Sequence, residues 1–191
     1  PAIISLVVGT VVAKPVLSAL IALKSRQTIN KHAPEGHQKK QGTPTMGGII
    51  SLIAMAVGLG VAGLQGWGGE SPARIWSMLG LLVLFGIIGF VDDYVIPKMM
   101  PGKRGLGWIP KLAMQVPVAA IPWFFTSDFG RDGFTATLVV LTVLFFTNAY
   151  NFSDGLDGLA GTLLLGIAAF FGGLGLLKGD PFLVMSGAVL A

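Results

Sequence analysis

The sequence predicts an all-α protein, a polytopic transmembrane helix bundle, and three observations lead there. Of 191 residues, 53% are hydrophobic and only 12% charged, where a water-soluble domain carries roughly twice that charged share. Mean hydropathy is +0.76. Apolar runs long enough to cross a bilayer follow one another along most of the chain. Cysteine is absent, which excludes disulfides and thiolate chemistry and leaves the redox compartment unread.

Six runs have spanning length, at about residues 2–23, 46–64, 75–91, 109–125, 134–150 and 159–177, and a seventh starts at Phe182. Lys14-Pro15 interrupts the first run, and Pro117 and Pro122 the fourth. Neighbouring helices re-satisfy the backbone groups a proline frees in a membrane, so kinks rather than breaks are expected. Gly58, Gly60 and Gly63, then Gly172, Gly173 and Gly175, predict close helix packing. Pro1 stands within apolar sequence and Ala191 about ten residues into the seventh run. One membrane domain over residues 1–191 is expected, the N-terminal and central part of a longer chain whose C-terminal part is missing.

The connecting loops set the topology. With six spans, the loops at 24–45, 92–108 and 151–158 share one side; with Lys111 at its edge, that side holds nine of the thirteen Lys and Arg residues, Lys40 among them. The opposite loops hold Arg74, Arg131 and Lys178, and Lys14 lies inside the first run. By the positive-inside rule the basic side is cytoplasmic. The same side receives Asp92, Asp93, Asp154 and Asp157, so two acid pairs about sixty residues apart are expected to converge in space. Acids within a basic rim at the membrane boundary suit a divalent cation and a phosphate-bearing substrate.

The stretch from Asn148 to Gly161 lies between two apolar runs and carries Asn151, Asp154 and Asp157 with no Lys or Arg beside them. Charge at the end of a span is costly unless it reaches water, a cation or a ligand. A plain polar turn is the competing reading, since Asp and Gly are common turn residues. Asp154 and Asp157 share one face if the segment is helical. Asp154 is either a helix N-cap or a ligand contact. In Gly89-Phe90-Val91-Asp92-Asp93-Tyr94 the two carboxylates point about 100° apart on a helix. Different tasks are expected of them: one to ligate Mg²⁺ or act as a base, the other to orient a lysine or a substrate group. An ordinary helix end is disfavoured because negative charge there opposes the helix dipole and needs a compensating cation. The basic residues of the first loop suit water or anionic headgroups equally well, and His32 and His37 are too loosely placed to argue a metal site.

Taken together, Gly42-Thr43-Pro44-Thr45-Met46-Gly47-Gly48, Gly89 to Tyr94 and Asn151-Phe152-Ser153-Asp154-Gly155-Leu156-Asp157-Gly158-Leu159-Ala160 resemble the polyprenyl-phosphate N-acetylhexosamine-1-phosphate transferases. The acidic motifs are common to that superfamily. Pro34-Glu35-Gly36-His37 and Thr43-Pro44-Thr45-Met46-Gly47-Gly48 are similar to its phospho-N-acetylmuramoyl-pentapeptide transferase branch. Ala33 stands where that branch usually has Gly, and Phe152-Ser153 where it usually has Leu-Thr.

The resemblance implies a ten-helix enzyme of the bacterial inner membrane, homodimeric when complete, with its active site on the cytoplasmic face. It implies transfer of phospho-MurNAc-pentapeptide from UDP-MurNAc-pentapeptide to undecaprenyl phosphate with Mg²⁺, giving lipid I and UMP. By position, Asp92 and Asp93 match the family's adjacent catalytic pair and are candidate metal ligands, with Asp92 the candidate base or nucleophile. Asn151, Asp154 and Asp157 match the nucleotide pocket, and Lys40 and Lys111 match basic residues near the phosphates. A further Mg²⁺-binding Asp and a triple-His loop of the family fall beyond Ala191, so residues 1–191 alone are expected to fold poorly and to lack transferase activity. Two other readings stay open. One is transfer from UDP-GlcNAc within the same superfamily. The other is a cation transporter, whose acids belong nearer mid-membrane than these do.

Overall fold

The computed structural model describes residues 1–23, 46–67, 72–100, 102–103, 105–154 and 158–191. Among these residues every regular element is helical. In chain order they are α1 (Ala2–Ala22), α2 (Gly48–Leu64), α3 (Ala73–Phe90), a π-helical turn (Val91–Val95), α4 (Ile96–Met99), α5 (Trp108–Ala119), α6 (Ile121–Phe125), α7 (Gly133–Ser153), α8 (Leu159–Lys178) and α9 (Pro181–Leu190). Four helical stretches, Ala2–Ala22, Ala73–Met99, Gly133–Ser153 and Leu159–Lys178, are long and apolar enough to cross a bilayer. Large apolar side chains cover their outer faces, Phe145, Phe146, Phe170 and Leu176 among them. An apolar exterior on this scale belongs against lipid. The protein is a multi-pass membrane helix bundle.

Three of the expected spans are drawn differently by the fold. Within residues 46–64 the helix is Gly48–Leu64, 17 residues or about 26 Å at 1.5 Å per residue, short of the ~30 Å hydrocarbon core. The fourth run divides at Ala120 into α5 and α6. Pro122 opens the first turn of α6, where its missing N–H costs no bond. Pro117 stays inside α5 and Pro15 inside α1, as a kink-only reading requires, so the correction is confined to Pro122. The third run is longer than expected and continues without a gap from Ala73 to Met99. Asp92 and Asp93 therefore sit inside a continuous helix rather than at its end. Proline chemistry accounts for the widened turn around them. Pro97 has no N–H to offer the Asp93 carbonyl four residues back, and the Ile96 N–H reaches five residues back to the Val91 carbonyl. Such π-helical turns gather at functional sites.

Packing follows chain order. α1 lies along α2, α2 along α3, and α8 along α9, while α5 and α6 bridge α3 to α7. The tight core is shared by α2, α3 and α9 through Leu59, Ala62, Ile75, Met185 and Val189. Small residues set the α8–α9 approach: a Cβ on Gly187 would fall 2.5 Å from the Ala168 carbonyl oxygen and 2.6 Å from the Gly172 nitrogen. Of the glycines expected to pack, Gly58, Gly63, Gly172 and Gly175 face a neighbouring helix, whereas Gly60 and Gly173 face open space.

The end of the bundle opposite the acidic residues is held by charge. Arg74, at the start of α3, makes a bidentate pair with Asp128 in the α6–α7 loop, with nitrogen–oxygen distances of 2.6 to 3.0 Å. Its guanidinium also lies 5.9 Å from the Phe182 ring centre. Beside it Arg131 donates to the Trp123 and Thr126 carbonyls. Asp132 caps α7 by accepting from the Thr135 N–H at 2.8 Å and the Thr135 hydroxyl at 2.7 Å. Those bonds favour the carboxylate and hold Asp132 below its ordinary pKa of 3.8, the hydroxyl contributing most.

Candidate active site at the acidic end of the bundle

Asp92 has both carboxylate oxygens engaged. Oδ2 accepts from the Lys111 ammonium at 2.7 Å and Oδ1 from the Leu106 main-chain N–H at 2.6 Å. The pair is mostly shielded, the Lys111 and Asp92 side chains retaining 24% and 15% of their exposure. Lys111 reaches Asp92 because α5 starts at Trp108 and runs back along α3. Gly105 makes the amide contact sterically possible: a Cβ there would lie 2.5 Å from Asp92 Oδ1.

Asp93 is exposed beside this pair, close enough to Lys111 and Asp92 to feel both charges, and it holds no hydrogen bond with any described residue. Two carboxylates against one ammonium leave one unit of negative charge uncompensated when both are ionised. Asp92 thus holds a lysine, and Asp93 makes no bond with any described residue. Tyr94 adds a basic neighbour, its hydroxyl 3.2 Å from the Lys98 ammonium.

A polar chain leads from this pair toward the second acidic segment. Lys111 and Gln115 stand four residues apart on one face of α5, and the Asn148 amide on α7 donates to Gln115 Oε1 at 3.0 Å. Asn151 follows one turn later, and Asp154 ends α7. The Asp92 pair, Asn151 and Asp154 thus lie at the same end of the bundle. Asp154 is the C-cap of α7 rather than the N-cap weighed for it, because α8 begins only at Leu159, after Gly158 at φ 79°. The Tyr150 hydroxyl donates to the Ala160 carbonyl at 3.1 Å and ties the two helix ends together.

Asp154 and Tyr150 stand on an open cavity of about 690 Å³ lined otherwise mainly by apolar side chains of α2, α3, α8 and α9, including Leu52, Phe85 and Leu164. Lys40 and Asp157 lie outside the described residues. Among the described residues no three His, Cys, Asp or Glu side chains group as a metal cage. Gln115, Gly105 and the Leu106 amide were not singled out by sequence, while Asn148 entered only as the start of the second acidic stretch. The signal that could have found this loop is its glycine pair at 105 and 107, since glycine permits close approach of another group.

Fold and site together define a class: a multi-pass membrane protein with a charge-paired, partly buried carboxylate site at one end of its helices. Comparison with known proteins gives that class its family. The sequence profile described as Glycosyl transferase family 4 matches residues 75–191, and the chain belongs to that family. Residues 40–50 match the phospho-N-acetylmuramoyl-pentapeptide-transferase signature 1. A protein of Shouchella clausii (strain KSM-K16) named phospho-N-acetylmuramoyl-pentapeptide-transferase is 35% identical over 189 residues, covering 88% of this chain and 56% of the relative. A protein of the same name from Listeria welshimeri is 36% identical over 180 residues, 84% of this chain and 54% of the relative. Another from Acinetobacter baylyi is 28% identical over 208 residues, 92% and 54%. The chain spans about half the length of the curated relatives it matches.

Proposed function

We propose that this chain is part of a phospho-sugar transferase that moves phospho-MurNAc-pentapeptide from UDP-MurNAc-pentapeptide to undecaprenyl phosphate, giving lipid I and UMP. The observation that carries this reading is the match of residues 40–50 to the phospho-N-acetylmuramoyl-pentapeptide-transferase signature, since it singles out one branch of the family. The site geometry supports the chemistry. Phosphoryl transfer between anions depends on alignment and charge neutralisation more than on covalent help from the protein.

Lys111, held by Asp92 at 2.7 Å, presents a fixed positive charge to a phosphate group. Asp93, exposed and without a hydrogen bond to any described residue, is the carboxylate left to meet a cation or a proton. Mg²⁺ is usually held by one or two carboxylates and completes its shell with water and substrate phosphates. A free carboxylate beside a fixed ammonium suits that mode of binding, with Asp93 the candidate ligand here. When bound, the ion would neutralise charge on the diphosphate. The reading assigns Asp154, which stands on the cavity, and Asn151 to the nucleotide end, with Lys40 and Asp157 on the same substrate. We place the site on the cytoplasmic face of the bacterial inner membrane, from the basic loops, and carry the homodimer of the complete enzyme as part of the same proposal.

The test is an assay of the full-length protein in detergent with undecaprenyl phosphate and either UDP-MurNAc-pentapeptide or UDP-GlcNAc. Release of UMP with the muramoyl substrate, lost in EDTA and restored by Mg²⁺, is expected. Turnover of UDP-GlcNAc alone would overturn the choice of substrate.

A further inference from the structure

The geometry points to Gly105 as a positioning residue: its lack of a side chain lets the Leu106 amide and Lys111 together clamp the Asp92 carboxylate, which fixes the Lys111 ammonium and leaves Asp93 as the free acid. The inference deepens the transferase reading and rests on it for its catalytic meaning, although the clamp itself is a statement about this chain alone.

Four observations converge on it. Both Asp92 oxygens are taken, at 2.6 and 2.7 Å, by donors from one short segment, Leu106 and Lys111. A Cβ on Gly105 would stand 2.5 Å from Oδ1 and 3.3 Å from the carboxyl carbon, so a methyl group and the carboxylate cannot share that space. The main-chain oxygen of Asp92, 3.1 Å away, would need to yield only slightly, which makes the carboxylate the principal obstacle. Finally, the turn carrying Asp92 is π-helical, and the widened backbone places two adjacent acids so that only the first meets the clamp. A carboxylate pushed off Oδ1 contact would lose the amide and drag or release Lys111. Misplacement of a charged group by about 1 Å can cost about a hundredfold in rate.

The test uses the full-length protein in detergent and reads amine acylation of each lysine by mass spectrometry without substrate, so it does not depend on activity. In the wild type, Lys111 should label slowly relative to Lys178, an exposed reference at the far end. Gly105→Ala should raise Lys111 labelling several-fold while Lys178 stays unchanged, and Asp92→Ala should do the same. The double variant should label no faster than Asp92→Ala, because the carboxylate that clashes is gone. If Gly105→Ala alone fails to fold, Asp92→Ala must restore folding in the double variant.

Where transferase activity is present, Gly105→Ala should lower kcat about a hundredfold with KM for the nucleotide sugar little changed. Gly107→Ala, whose new Cβ would meet only Pro110 at 3.7 Å, should label and turn over as the wild type does. Unchanged Lys111 labelling in Gly105→Ala, additive effects in the double variant, or failure of Asp92→Ala to rescue folding would each overturn the clamp. An inactive wild type would sink the transferase reading instead, and the labelling rates would still decide the clamp.

Discussion

The Lys111–Asp92 pair should be worth about 2 kcal/mol to the fold, and a double-mutant cycle in detergent measures it. Fully exposed pairs contribute about 0–1 kcal/mol, while removing one partner of a buried pair costs about 3–5 kcal/mol. With side chains 24% and 15% exposed, this pair lies between those limits. Lys111→Met keeps the aliphatic stem and removes the ammonium; Asp92→Asn keeps the shape and the acceptor for the Leu106 amide while removing the charge. Each single variant should destabilise by about 1–3 kcal/mol, the range expected when a polar group loses its partner, and the double variant by less than their sum. The coupling energy, read from reversible denaturant unfolding, should be about 2 kcal/mol, within the span known for contacting charges. A coupling below about 0.5 kcal/mol, the level at which distant sites simply add, would show that the two groups do not hold one another.

Three further outcomes follow from the same geometry. Asp93→Asn removes a charge that no described residue bonds, so unfolding should shift little while turnover of the full-length protein falls about 10²-fold or more, the scale of a lost electrostatic contact to the reacting group; a strong loss of stability with activity kept would reverse that assignment. Asp128→Ala at the opposite end should cost about 1 kcal/mol and leave kcat unaltered, as a thermal scan and a turnover assay would show. Because Asp132 is held below 3.8 by Thr135, its cap supports the first turn of α7 above that value. The support fades as pH falls through its lower folded-state value. Amide exchange at Ala136 and Thr137 should rise in that acid range, and Asp132→Asn, whose one amide oxygen can still accept from the Thr135 N–H and which does not titrate, should remove the pH dependence.

The membrane class was plain in the sequence because composition alone demands lipid, and the spans on either side of the second acidic segment were legible as uninterrupted apolar runs. What escaped was set by contacts between distant residues. Asp92 and Lys111 are nineteen positions apart, and no local pattern announces their bond. Asp92-Asp93-Tyr94 looks like the polar end of a span, yet α5 and its leading loop supply donors that let the helix run on to Met99. Alanine is the strongest helix former, so the division at Ala120 belongs to Pro122 two residues later. At Asp154 the difference is one of direction: the same Asp-Gly spelling suits the start of one helix or the finish of another, and Gly158 at φ 79° decides for the finish. Lys40 and Asp157 lie outside the described residues, so their assignment rests on sequence alone.

Two ion pairs bracket the longest apolar helix. Arg74 and Asp92 are eighteen residues apart, about 27 Å at helical rise, close to the ~30 Å of hydrocarbon in a bilayer. A rod with a charged collar at each rim cannot slide along the membrane normal without drawing one collar into oil. The acids are thereby held near one edge of the apolar span, and under the proposed transferase reading that is the level at which the phosphate of a lipid acceptor would meet them.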